Sequence, residues 1–364
     1  MASQFMFASA QDGFVPESTG QVIGYIRNES EFPLNRYVQY VPSPKTIGLY
    51  VVLGRDEMAR VVSDNLFAFF DGDERPRGDA HKVPFKTVEY ATFRRDYPWT
   101  LGNMAIEQAN LWKPKLVHMA SAVSKAMTNR TNRVASLLQT SANWPSIMVA
   151  TSNTLNGGAG GWATASDDPA SPNYNAIYGS LIQAARNIYL QTNGKVLPKD
   201  LRCVLNPDAA IKAGKSAEMT NYMRENSDSF KVLKEGLDPN INALWGLPSH
   251  YKGIEFVVEN TPIVTEFNTY TGAGASNAGT LVEASTNRNF AFSGASAVLV
   301  ARPGSIDGEY GAPSFSTCQI YHYGGLLEVK VFQDARNERV DGHCEENFKE
   351  VLAAQYAGFL ITGI

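Results

Sequence analysis

Between Leu101 and Ala142 apolar side chains recur at three- and four-residue steps: Leu116, Ala120, Val123, Met127, Val134, Leu137 and Leu138. That period predicts a helix with one apolar stripe. Pro114 has no backbone N–H for an interior position, so it starts or kinks the regular part. From there to Ala142 the helix covers about 29 residues, roughly 43 Å, which is long for a globular helix and suits a structural spine. Ahead of it, alternation through Val83, Phe85, Val88, Tyr90 and Phe93 predicts extended chain, and Phe67–Trp99 reads as a hairpin. Its tip gathers Asp71, Asp73, Glu74, Arg75, Arg77 and Asp79 around Gly72, Pro76 and Gly78. Two strands with a charged tip bury little on their own. The expected support is another copy of the same chain.

Residues 1–35 read as an extended arm, interrupted by Gly13, Pro16, Gly20 and Pro33. Tyr37–Val41 and Ile47–Leu53 form a strand-like pair joined through Pro42-Ser43-Pro44, and Arg55–Asp64 suits a short helical turn. Asn153–Pro172 is a Gly-, Ser- and Asp-rich connector and a natural boundary. Beyond it, Tyr174–Gln191 is amphipathic through Ile177, Leu181, Ala184, Ala185 and Ile188. Leu201–Leu205 and Ile254–Glu259 read as strands, and Asn206 caps a helix with Pro207 at its first position. Thr271–Gly279 reads as an exposed loop, Cys318–Gln333 as strand, and Tyr356–Ile361 as a last apolar piece. Mixed elements in this order predict an α+β chain.

Composition narrows the function classes. With 364 residues, 44% of them hydrophobic, the chain can build two domains or one with excursions. Charged residues make up 19%, below the usual quarter, which fits a surface hidden in contacts. A net charge of −4 argues against a protein whose main task is gripping nucleic-acid phosphates. Met1–Phe14 alternates apolar and polar residues without the basic start of a signal peptide, and no apolar run is long enough for a membrane span. Cys203, Cys318 and Cys344 are odd in number and far apart, as expected of reduced thiols in a cytoplasmic product.

Chemistry-bearing motifs are weak. Ala209–Ser216 fits a relaxed phosphate-loop pattern ending in Lys215-Ser216, which would make the chain a nucleotidase. The helix cap at Asn206 precedes it, however, and Ala-Ala-Ile-Lys-Ala is helix-forming where the loop should be, so the match is read as chance. The acidic tip residues lack the spacing of a calcium loop and are interrupted by Arg75 and Arg77, as in an intersubunit ion-pair surface. His81, His118, His250, His322 and His343 show no ligand spacing, and no nucleophile elbow is present. The sequence therefore offers no catalytic, cofactor or metal site.

Several runs, in their order, carry a family resemblance. They are Arg75-Pro76-Arg77-Gly78 through Phe93-Arg94-Arg95-Asp96-Tyr97, and Leu205-Asn206-Pro207-Asp208-Ala209-Ala210. Leu244-Trp245-Gly246-Leu247-Pro248, Glu259-Asn260-Thr261-Pro262 and Ala353–Ile361 complete the set. Over nearly the whole chain this order resembles the major capsid proteins of tailed bacteriophages, with the Hong Kong 97-type fold. The resemblance implies an N-terminal arm (1–35) and an extended E-loop (54–99). A peripheral P-domain with the spine helix would take 36–53, 100–145 and 314–334, and an axial A-domain 146–313 and 335–364. It implies a non-enzymatic subunit that self-assembles as hexamers and pentamers into an icosahedral virion shell in the host cytoplasm, without cofactor or membrane. The shell would enclose double-stranded DNA, held non-specifically. Separate scaffolding, portal or decoration proteins are implied partners, since no segment of about 100 residues precedes the arm; a propeptide already removed is the alternative. Expected intersubunit contacts on the E-loop are Asp71, Asp73, Glu74, Arg75, Arg77, Asp79, Lys82, Arg94 and Arg95. An encapsulin-like nanocompartment shell is the structural rival.

Overall fold

The computed structural model describes residues 26–27, 29–53, 85–107, 113–157, 160–225, 245–264, 269–271, 280–282, 288–306, 308 and 314–364. In chain order the strands are β1 (Gln39–Ser43), β2 (Ile47–Leu53), β3 (Phe85–Ala91), β4 (Phe93–Gly102), β5 (Val149–Thr151), β6 (Leu201–Leu205), β7 (His250–Tyr251) and β8 (Ile254–Val258). There follow β9 (Pro262–Val264), β10 (Thr269–Thr271), β11 (Thr280–Val282), β12 (Arg288–Phe290), β13 (Ser296–Ala301), β14 (Cys318–Tyr323), β15 (Glu328–Asp334), β16 (Arg339–Leu352) and β17 (Phe359–Thr362). A six-stranded sheet runs β5-β17-β13-β6-β8-β7, and a five-stranded sheet runs β1-β14-β16-β15 with β4 added along β16.

The two sheets differ in how they are written. In the six-stranded sheet β6, β8, β13 and β17 are nearly continuous apolar runs, buried on both faces as central strands must be. The helix Ala176–Gln191 packs there through Ile177, Leu181, Ala184, Ala185 and Ile188. Its neighbour Pro207–Gly214 starts where Asn206 Oδ1 accepts from the Ala209 amide at 2.7 Å. In the other sheet β16 alternates strictly: Val340, Cys344, Glu346, Phe348 and Glu350 are buried, and the residues between them face outward. Gly342 continues the inward row because the Trp99 indole occupies the place of a Cβ.

The spine helix spans Pro114–Gln139, 26 residues or about 39 Å. Pro114 is its first residue, so it starts the helix rather than kinking it. The predicted helix was longer at both ends, but Leu101 belongs to β4 and Thr140 already leaves the helical conformation. Along its first half Ala122 and Ala126 pack with Trp99, Leu101, Val340 and Cys344. Along its second half Val134, Ala135 and Leu138 enter the main core. The helix therefore ties the two sheets together.

Other expectations shift. β1 and β2 do not pair with each other: β1 runs parallel to β14, while β2 is antiparallel to β3. The turn between them, where Ser43 Oγ donates to the Lys45 carbonyl at 2.6 Å, sends the chain out of the sheet. Cys318–Gln333 is two strands, broken where Gly324 takes φ +74°. Residues 335–364, grouped above with the axial region, divide between the sheets, β16 joining β14, β15 and β4 and only β17 reaching β13. The Arg55–Asp64 turn and the loop over 272–279 lie outside the described residues.

Where Arg27 and Tyr37 meet the six-stranded sheet there is a buried carboxyl; residues 1–25 of the expected arm lie outside the described residues, and Glu29–Glu31 and Pro33–Arg36 form short 3-10 turns rather than extended chain. Glu259 Oε2 accepts from the Tyr37 hydroxyl at 2.8 Å and Oε1 from the Thr261 amide at 3.1 Å. Arg27 reaches Asn260 Oδ1 at 2.7 Å beside them. Burial pushes the Glu259 carboxyl up, against those hydrogen bonds and the Arg27 charge. A carboxyl raised in the folded state binds its proton more tightly there, so its contribution is full below the unfolded value and is lost as pH rises through the folded one. Glu259→Gln should therefore flatten the pH dependence of melting. The variant gains on wild type as pH rises from 4 to 8, and thermal unfolding across that range checks it.

Candidate assembly surface

β2 and β3 form a two-stranded ribbon, in register from Ile47 opposite Ala91 to Leu53 opposite Phe85. Strand alternation divides it into two faces. On one face Tyr90 stacks on Tyr321 of β14 with ring centroids 4.2 Å apart, Tyr50 stacks at 6.0 Å, and Ser43 Oγ meets the Tyr90 hydroxyl at 3.0 Å. Gly48 is the residue that lets this happen, since a Cβ there would collide with the Tyr90 ring. On the other face Ile47, Leu49 and Val51 are 57%, 65% and 57% exposed, a row of aliphatic side chains with nothing of the described chain over them. The ribbon is thus anchored at its base, and its aliphatic face is uncovered by the described residues. Ribbons of this kind are marginal alone, and an aliphatic row at an exposed edge marks an interaction site.

The structure describes two of the nine expected contact residues. Asp71, Asp73, Glu74, Arg75, Arg77, Asp79 and Lys82 lie outside the described residues, between β2 and β3 in the chain. Arg94 and Arg95 lie on β4, within the five-stranded sheet rather than on the ribbon, and alternation points them to opposite faces. On the outward face Arg94 Nε pairs with Glu345 at 2.8 Å and lies 3.6 Å from Asp96. Lys330 holds Glu345 from the other side at 2.6 Å. Asp96, His343 and Glu345 bring ligand-type atoms within 4.8 Å of one another. Two cations already serve that cluster, so it is an ion-pair network.

On the inward face lies a network that the sequence did not reveal. Arg130 of the spine helix is fully buried and donates to Glu346, also fully buried, at 2.8 Å. Tyr97 donates to the other Glu346 oxygen at 2.8 Å, and Asn129 donates to Tyr97 at 2.6 Å. A further Arg130 N–H reaches the Leu326 carbonyl at 3.1 Å. Burial pushes the Glu346 carboxyl up while Arg130 and Tyr97 oppose it. The pair locks helix to sheet beneath the site where the ribbon emerges.

The phosphate-loop reading fails on geometry. Ala209–Gly214 is helix, Lys215 is its C-terminal cap, and the Gly214 Cα faces the Gly246 carbonyl, leaving no loop to cradle a phosphate. Cys203, Cys318 and Cys344 are free and buried, and burial pushes the Cys344 thiol up to about 11. Among the described residues no helix is long and apolar enough to cross a membrane.

No protein-family model matches the chain, and no curated protein does. Solved structures do. A phage-related protein from Bordetella bronchiseptica superposes at a TM-score of 0.51 with 14% identity, over 90% of this chain and 90% of its own. The mature capsid of bacteriophage PhiM1 follows at 0.49 with 11% identity, over 94% and 89%. A holo-encapsulin complex from Synechococcus elongatus scores 0.45 with 8% identity, over 90% and 85%. The chain has the α+β Hong Kong 97-type fold.

Proposed function

We propose that this chain is the shell subunit of a tailed-phage capsid, a structural protein without enzymatic activity that assembles with copies of itself around double-stranded DNA. The observation that carries the reading is the ribbon: aliphatic side chains at Ile47, Leu49 and Val51 stand exposed on a two-stranded element anchored at its base by the tyrosine stack and the Ser43–Tyr90 contact. A neighbouring copy that covers this row removes the exposed surface. Many such contacts, each modest, add up through the closed geometry of a shell. In this account residues 36–53, 100–145 and 314–334 with β16 form the peripheral region, and the rest of the six-stranded sheet forms the axial one. The charges from Asp71 to Lys82 set register between hexamer and pentamer neighbours. Scaffolding, portal or decoration proteins act separately, and the product resides in the virion.

Expression followed by sedimentation tests it. The purified protein is expected to sediment as closed particles or capsomer rings, alone or with a scaffold, and particles recovered from infected cells should contain DNA. A monomer under varied salt and concentration would overturn the reading. Particles filled with a single enzyme and no DNA would assign the chain to a nanocompartment instead.

A further inference from the structure

Arg94 and Arg95 are adjacent in sequence but their charges are used differently. Arg94 pairs with Glu345 and Asp96 of its own chain. Arg95 faces the spine helix with its guanidinium 4.9 Å from the Phe348 ring centroid. Arg130 and Arg133 approach the same ring at 5.3 and 5.6 Å. The carboxylates beside them are Glu346, paired with Arg130, and Glu350, paired through Oε1 with Arg133 while its Oε2 has no hydrogen-bond partner among the described residues. Arg95 itself donates to the Phe93 carbonyl at 3.2 Å, and no carboxylate among the described residues pairs with it. Lys349, over the Phe93 ring at 6.0 Å, adds a further cation. Three guanidiniums thus share two carboxylates. Burial and the neighbouring Arg133 weigh against the Arg95 charge, and Glu350 and Glu346 offset them only in part.

We propose that Arg95 is a carboxylate-binding position, completed in the assembled shell by an Asp or Glu side chain of a second copy of this chain. The inference rests on the self-assembly reading above. A guanidinium stacked on an aromatic ring keeps its planar N–H fork free for bidentate binding of a carboxylate. Phe93, 55% exposed beside it, supplies an apolar rim of the kind that seals a central arginine contact from water. A copy of this chain has acid to spare, with 36 Asp and Glu against 32 Lys and Arg. A nucleic-acid phosphate would use the cations but not the Phe93 rim, so the carboxylate is favoured.

Arg95→Glu and Arg94→Glu separate the possibilities. For each, the concentration at which particles first form is measured by light scattering, with melting temperature and nucleic-acid content alongside. Arg95→Glu should raise the assembly concentration by about tenfold or more, the scale of one lost charge-assisted contact. Arg94→Glu should stay within about threefold, because its charge is spent inside the subunit. Arg95→Lys should fall between, keeping charge but losing the fork. If Arg95→Glu melts early, Arg95→Gln adds no charge beside Glu346 and Glu350 and carries the same test. Wild-type assembly matched by both Arg95 variants overturns the inference alone, as does an equal loss from Arg94→Glu. Normal shells with reduced nucleic acid would overturn it in favour of a phosphate. A wild type that never assembles overturns the self-assembly reading and the inference together.

Discussion

Replacing Asp71–Lys82 with a short Gly-Ser turn should leave the subunit folded and melting close to wild type, yet unable to close shells. Among the described residues, the core of the two sheets and the spine helix is built from segments outside the one replaced. β2 and β3 pair along their full length on either side of it, so the ribbon keeps its register. What is lost is a run of charges of both signs, which under the proposed function steers neighbours more than it binds them. Reversing Arg75 and Arg77 to Glu is the milder form, and it should weaken assembly most at low salt, where screening is least. A second route goes through the aliphatic row. Leu49→Asp with Val51→Asp alters side chains already in water, so the fold should change by less than about 0.5 kcal/mol per site, while assembly fails. Light scattering and thermal melts of the same preparations decide. Aggregation or a lost cooperative melt in the loop variant would make the segment part of the fold itself.

The second large effect concerns the fold. Arg130→Met should destabilise the subunit by about 3–5 kcal/mol, because it strands the fully buried Glu346 charge. With its cation gone, the Glu346 carboxyl rises further. A carboxyl raised in the folded state loses its contribution as pH rises through the folded value, so the deficit should grow between pH 5 and pH 8. Replacing both partners, Arg130→Met with Glu346→Leu, removes the stranded charge and should recover much of the loss, although Tyr97 then lacks its acceptor. Denaturant titrations of the two single variants and the double check this. A double variant as unstable as Arg130→Met alone would mean that the network matters for its shape rather than its charge.

Much of this fold is legible in the sequence because its signals are local. The spine period, the Asn206-Pro207 helix start and the apolar runs of β6 and β8 each rest on neighbours within one element. Pairing between distant segments is not local. That β1 would join β14 rather than β2 depends on residues nearly three hundred positions apart. The buried row of the spine helix was misjudged because it passes through Arg130 and Thr131, polar residues that an apolar count rejects, while Leu116 stays in water. Glu346 and Glu350 were missed for the same reason on β16. One missed signal was available: in Phe93-Arg94-Arg95-Asp96-Tyr97-Pro98-Trp99, strand alternation puts Arg95 with Tyr97 and Trp99 and separates it from Arg94.

The central claim is that the β2–β3 ribbon is an assembly element whose aliphatic face is covered by another copy. Cryo-electron microscopy of assembled particles tests this most directly. The account predicts closed shells in which Ile47, Leu49 and Val51 of each ribbon lie against a neighbouring subunit. Shells in which that row remains in water, or is covered by the same subunit's own chain, would contradict it.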